Sequence, residues 1–241
     1  MVIDAREVQG LIGGYGHRFA IPILSGTTAS SIGLGTIATT GTGAASAIAA
    51  TNFLTEQGRI KSTSATTANA QAGFTSTTPS ATSSSTSGHG GWEYVARFGC
   101  STIPTGPRLF SGMTATTYVA STIEPSALTA NYAGFALDST DTNIQLLVNS
   151  NVGSGTKTDT GIPLVANGWY ETAIWNEPGS LSIKALLMRL DTGAIWFGTT
   201  ATDVPATGAL LFPQLIGGLN GTNTGTAMVL EWGGYYVRSG L

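Results

Sequence analysis

Asp138, Asp141 and Asn143 fall within the run ALDSTDTN, and oxygen-bearing side chains at that spacing make calcium binding the first chemistry to weigh. A calcium ion takes about six to eight oxygens at about 2.4 Å, often with a glycine at the bend and a bidentate acid to complete the shell. Neither follows in register here. Asp and Asn are equally good turn residues, because their side chains bond nearby backbone amides and tolerate left-handed conformations. The stretch therefore reads as a hairpin loop joining strands AGFALD and IQLLVN, and no metal ligand is assigned.

Glycoside hydrolysis would need two carboxylates about 5 to 10 Å apart, flanking the scissile bond. Most acids, including Asp159, Glu177, Asp191 and Asp203, sit at turn signals, where they have a structural role. Glu171 in WYETAIW and Glu231 in LEWGGYY lie within strands beside aromatics and are the best pair on offer. Strand alternation reads both more simply as outward-facing residues. His17 in GYGHRF and His89 in SGHGG have no partner signature around them, and no nucleophile elbow, phosphate-cradling loop or zinc-protease motif occurs. Cys100 is the only cysteine, so no internal disulfide forms; in WEYVARFGCSTI it reads as a small buried hydrophobe. The chain is read as a non-enzyme with no catalytic residue and no cofactor.

Binding chemistry is better represented. Tryptophans and tyrosines concentrate in the second half, and sugar rings stack on such faces. Trp169, Trp175, Trp196, Trp232 and Tyr235 are the candidate ligand-binding residues. Aromatics also fill sandwich cores. In WYETAIW, a period of two sets Trp169, Glu171, Ala173 and Trp175 on one face and Tyr170, Thr172 and Ile174 on the other. Both faces are partly apolar, which fits a strand covered by the core on one side and by loops or a neighbouring subunit on the other.

The elements that would hold these residues are strands. Charged residues make up only 10% of the 241, against about 25% in ordinary soluble domains, and there are 33 glycines amid abundant Thr, Ser and Ala. Strand signals run at 92–103, 108–112, 133–138, 144–149, 169–176, 181–190, 195–200 and 226–238. Turns such as EPG, DTG and NGTNTG separate them. LSIKALLMRL has helical periodicity too, but its flanking turns favour a strand. The fold class is all-β, an antiparallel β-sandwich. A net charge of −3 with no basic run excludes nucleic-acid binding. No segment reads as a membrane span, and MVIDAREVQGL does not read as a signal peptide. TTPSATSSSTSGHGG (77–91) reads as an exposed loop, and residues 1–26 as an attachment or oligomerisation segment or the first strand, RFAIPIL. With so few charges, edge strands need partners to cap them.

The succession RLFSGMT (108–114), AGFALDSTDTNIQLLVN (133–149), GSGTKTDTGIP (153–163), YETAIWNEPGSLSIKALLMRLDTG (170–193), GTTATDVPATGALLFPQ (198–214) and VLEWGGYYVRSG (229–240) resembles the modules of tailed-bacteriophage virion appendages. These are tail-fibre, tailspike and capsid-fibre proteins with a concanavalin-like or lectin-like jelly roll. GRIKSTSATTANAQAGF and GGWEYVARF are similar to the first half of such modules, so the likeness spans 27–241, read as one domain. Met113 stands where Leu is usual, and Val204 precedes Pro205; neither changes a strand or turn type. The resemblance implies a jelly roll, a homotrimer located on the virion, and attachment to other virion proteins through 1–26. It also implies contact with a host cell-surface glycan through distal loops, and no membrane insertion. A capsid decoration or baseplate protein without receptor contact is the alternative, and a depolymerase using Glu171 and Glu231 a third.

Overall fold

Large apolar residues alternating with small polar ones, cut every few positions by Gly, Asn, Asp or Pro, favour strands over helices. The computed structural model of the chain is built almost wholly of them. It describes the backbone of residues 22–25 and 28–31, and residues 37–76, 78–83, 90–118 and 123–239 throughout. His17, His89 and most of the segment 1–26 lie outside the described residues, as does the centre of the loop at 77–91.

A short hairpin of β1 (Pro22–Ser25) and β2 (Thr28–Ser31) comes first. It is followed by β3 (Ile37–Thr40), β4 (Thr42–Ser46), β5 (Arg59–Thr63), β6 (Gln71–Ser76), β7 (Ala81–Thr82), β8 (Trp92–Thr102) and β9 (Pro107–Thr114). After one 3-10 turn, Pro125–Ala127, come β10 (Asn131–Leu137), β11 (Gln145–Ser150), β12 (Thr156–Asp159) and β13 (Trp169–Asn176). The last four are β14 (Ile183–Arg189), β15 (Ala194–Thr200), β16 (Leu210–Leu219) and β17 (Val229–Ser239). One sheet runs β12-β11-β10-β9-β16-β6-β3, with β7 also paired to β16; the other runs β15-β14-β13-β8-β17-β5-β4. Every pairing is antiparallel, so the expected sandwich is the observed one. LSIKALLMRL forms β14, a strand as expected.

One central strand, β16, was not among the strand signals. Its run LLFPQLIGGL contains Pro213, which cannot donate to a ladder. The structure places that proline at a break: β7 pairs with β16 up to Leu211, and β6 takes over at Gln214. No continuous neighbour on that side is deprived of a donor.

The core lies between the sheets. Phe74 on β6 stacks on Trp232 of β17 at 5.1 Å, and Trp232 stacks on Tyr235 at 4.7 Å with the rings 6° from parallel. Phe135 of β10 meets Trp196 of β15 edge-on at 6.0 Å. Trp232 and Tyr235 are three residues apart, yet both face inward. Between Trp232 and Gly234 the register of β17 against β8 shifts by one residue, which makes a bulge at Gly233 and reverses the alternation beyond it. Gly234, at φ 132°, takes a conformation that side-chain-bearing residues avoid. Cys100 is buried on the inner face of β8, and burial pushes its thiol pKa up. Trp232→Ala is expected to cost about 3–5 kcal/mol of unfolding free energy, measured by urea denaturation, because a cavity replaces the middle of the stack.

Candidate binding face

Each sheet has an outer face, and the two are treated differently. On the β9–β10 side, Phe110, Tyr132, Ala136, Leu147 and Ile216 point outward and are covered by Tyr118, Ile123 and Leu128 from the connection between β9 and β10. Phe110 lies over Gly134, where any side chain would meet its ring.

The other outer face carries the residues that the sequence singled out. Register places Trp169, Glu171, Ala173 and Trp175 of β13 beside Gly99, Arg97, Val95 and Glu93 of β8. Met188, Leu186 and Lys184 of β14 flank them, with Ile195, Phe197 and Thr199 of β15 beyond. Tyr236 and Arg238 of β17 complete the face on the far side. Near one end it is closed: the Trp169 indole lies against Gly99 and Gly233, beside Leu54 from the 47–58 connection. At the other end it is open among the described residues. Trp175 is half-buried and lies 6.0 Å from the exposed ring of Phe197, tilted by 42°. Leu186, Met188, Ala173 and Val95 are also partly exposed, so the pair stands on a continuous apolar strip.

The five candidate aromatics are thus not gathered at one site. Trp232 and Tyr235 are in the core, where a ligand would have to open the sandwich to reach them, because the bulge turns both rings inward. Trp196 faces inward against Phe135, with its ring folded over Gly198. Trp169 is on the outer face but 1% exposed. Of the five, Trp175 alone is partly exposed on the outer face; Trp196 is half-buried too, but on the inner side. The partner of Trp175, Phe197, was passed over in the sequence; its place next to Trp196 and two residues from the outward Ile195 was the available signal.

The two strand acids are in ion pairs. Arg97 Nε donates to Glu171 at 2.6 Å. Glu231 accepts from Arg59 Nε at 2.9 Å and from Ser46 Oγ at 2.8 Å. Arg59 also donates to the carbonyls of Ala47, Thr55 and Gln57, so it fastens the 47–58 connection to β17. Glu93 stands opposite Arg238; burial raises its pKa, and Arg238 pulls it back only in part.

The 138–143 stretch is the loop between β10 and β11, as read. Asp141 accepts from the Asp138 amide at 3.0 Å, and Asp138 accepts from the Ser126 hydroxyl at 2.5 Å. Lys157 Nζ donates to Asp138 at 3.0 Å and to Asp141 at 2.5 Å, while Asn143 turns away to Asp159. Burial works against the Lys157 ammonium, but the hydrogen bonds it donates to these two acids outweigh it and raise its pKa. These residues do not fit a calcium ion, since both aspartates already converge on the Lys157 ammonium, which supplies the positive charge, and Asn143 turns to Asp159.

No protein-family model matches the chain, and no curated protein sequence does either. Among solved structures it is similar to the Lotus tetragonolobus seed lectin, at 12% identity and a TM-score of 0.57 over 87% of this chain and 94% of that one. The lectin UEA-II complexed with galactose aligns at 13% identity and 0.54 over 94% and 98%. A protein of unknown function from Shewanella oneidensis MR-1 aligns at 16% and 0.55 over 99% and 95%. At such identities the likeness establishes the lectin-like jelly-roll sandwich.

Glu231→Gln is expected to lower stability by about 3–5 kcal/mol in chemical denaturation, because it leaves the buried Arg59 charge without its counter-charge. The melting temperature is expected to stay unchanged in EDTA; a fall of several degrees would restore a metal to the 138–143 loop.

Proposed function

We propose that the chain is a non-enzymatic, glycan-binding adhesion protein, built as an appendage of a tailed-bacteriophage particle. The observation that carries the binding half of this reading is the accessible Trp175–Phe197 pair on the open outer face of a lectin-like sandwich. Flat apolar rings on a rigid sheet offer a stacking surface to the apolar faces of pyranose rings. Thr199, exposed at the margin of the strip, is available to hydroxyls. A structural neighbour solved with galactose supports the same ligand class.

The absence of hydrolysis in this reading rests on Glu171 and Glu231, each of which is held through one carboxylate oxygen, by Arg97 and Arg59 respectively. The neighbouring lectins support it. The virion placement rests on the sequence resemblance alone, as do a homotrimer and docking of residues 1–26 on other virion proteins. Several copies held together would turn weak single sites into firm attachment through high effective concentration.

A structural appendage without receptor contact is the second reading, favoured by the uncharged strip, which would equally suit a protein partner. Fluorescently labelled protein on a panel of bacterial cells, with surface-polysaccharide mutants as controls, separates the two. Staining that disappears with one polysaccharide is expected, and Trp175→Ala is expected to weaken it by about tenfold or more. Val152→Ala, on the β11–β12 turn, is expected to leave it unchanged. No staining by folded protein would overturn the adhesion reading.

A further inference from the structure

The acids around the open outer face are matched with donors, with one exception. Glu171 accepts from Arg97 at 2.6 Å, Glu231 from Arg59 at 2.9 Å, and Glu177, just after β13, from Lys184 at 2.6 Å. Glu93 differs. Its side chain is 7% exposed, and its Oε2 is closed to solvent with no hydrogen-bond donor among the described residues. Arg238, opposite on β17, reaches it as a charge and not as a donor. A buried acceptor without a donor is costly, and native chains satisfy the great majority of them. One that persists beside a binding surface is explained by a donor that arrives from outside.

Glu93 stands beside such a surface. It is the register partner of Trp175 across β8 and β13, on the same outer side of the sheet. Directly opposed residues hold their Cβ atoms about 5 Å apart, so a sugar lying on the indole brings its edge to the carboxylate. One step further along the strands, Val95 and Ala173 are short and partly exposed, with Tyr236 half-buried beyond Val95. The surface is therefore hollowed next to Glu93 and Trp175. The cations beside this hollow, Lys184 and Arg97, are held by Glu177 and Glu171, and Arg238 is 1% exposed. An acidic sugar would meet a carboxylate with those cations already engaged. A hydroxyl would meet an acceptor that has shed its water.

We infer that Glu93 is the hydrogen-bond acceptor of the Trp175–Phe197 site, and that it selects uncharged and amino sugars over uronic and sialic acids. This deepens the glycan reading and rests on it. Burial raises the Glu93 pKa, so the ionised acceptor is lost as pH falls through a value above the ordinary glutamate range of about 4.3. The charged and titratable groups that face it are Arg238 and Tyr236 of β17, Arg97 of β8 with Glu171 of β13, and Lys184 of β14 with Glu177. Glu93→Gln separates its titration from theirs.

The test is binding of the full chain to an array of bacterial polysaccharides, with neutral, amino-sugar and acidic polymers side by side. Binding confined to the neutral and amino-sugar polymers is expected, and it is expected to weaken as pH is lowered from 7.5 toward 5. Glu93→Gln is expected to weaken binding about tenfold, through loss of the charge-assisted bond, and to flatten the pH profile. Glu93→Asp keeps the charge opposite Arg238 but draws the oxygens back by one methylene. It is expected to weaken binding with unchanged circular dichroism, which keeps the test open should the glutamine variant not fold. Firm binding to uronic or sialic acid polymers, a flat wild-type pH profile, or an affinity that Glu93→Asp leaves intact would each overturn the role of Glu93 and leave the glycan reading standing. Binding to no polysaccharide by folded protein would overturn both.

Discussion

Two sheets can form a sandwich only if large side chains from both close the space between them. Here the stack of Phe74, Trp232 and Tyr235 does this at the centre. It exists because β17 carries one extra residue at Gly233. Without the bulge, alternation from Leu230 and Trp232 would carry Tyr236 and Arg238 into the core and turn Tyr235 outward. With it, the core gains a phenol ring, and a charged residue joins Glu93 on the opposite face. The places of Tyr235, Tyr236 and Arg238 all follow from this one change of phase.

Charge is scarce, and where it occurs it fastens parts of the chain together. Arg59 and Glu231 hold the 47–58 connection over Trp169, Arg108 and Glu124 anchor the start of the 3-10 turn, and Lys157 closes the β10–β11 loop. A buried pair of this kind adds little net stability, but breaking it leaves an uncompensated charge, so each pair fixes where its loop sits. The outer face over β9 and β10 is sealed by the chain's own long connection. Among the described residues, nothing covers the outer face over β13, β14 and β15 from Trp175 to the sheet edge.

That asymmetry carries the functional reading. A sandwich covered by its own loops on one side and bare on the other presents a rigid apolar surface in one direction only. Glu171 and Glu231 share that face and are held by Arg97 and Arg59, and the exposed ring of Phe197 with Trp175 offers a stacking surface. The Phe197 ring of β15 faces outward beside Trp175, while Trp196 on the same strand faces inward against Phe135.

The strand content of the second half was legible from the sequence because it depends on neighbours close in the chain. Branched and aromatic residues at alternate positions between Gly, Asn and Asp turns marked β8, β10, β11, β13, β15 and β17, and the Asp-rich loop at 138–143 was read as the turn it is. The antiparallel sandwich and the burial of Cys100 followed from the same local signals. What the sequence did not reveal depends on residues far apart. β16 was hidden by Pro213, which is harmless only because two separate strands meet at that point. Trp232 and Tyr235 looked like ligand contacts because alternation names two faces without saying which is inside. A facing sheet makes that choice, and a bulge can reverse it midway along a strand. Edge positions are decided in the same way: AIWFGTT reads as any other strand until the strand order leaves one of its sides unpaired.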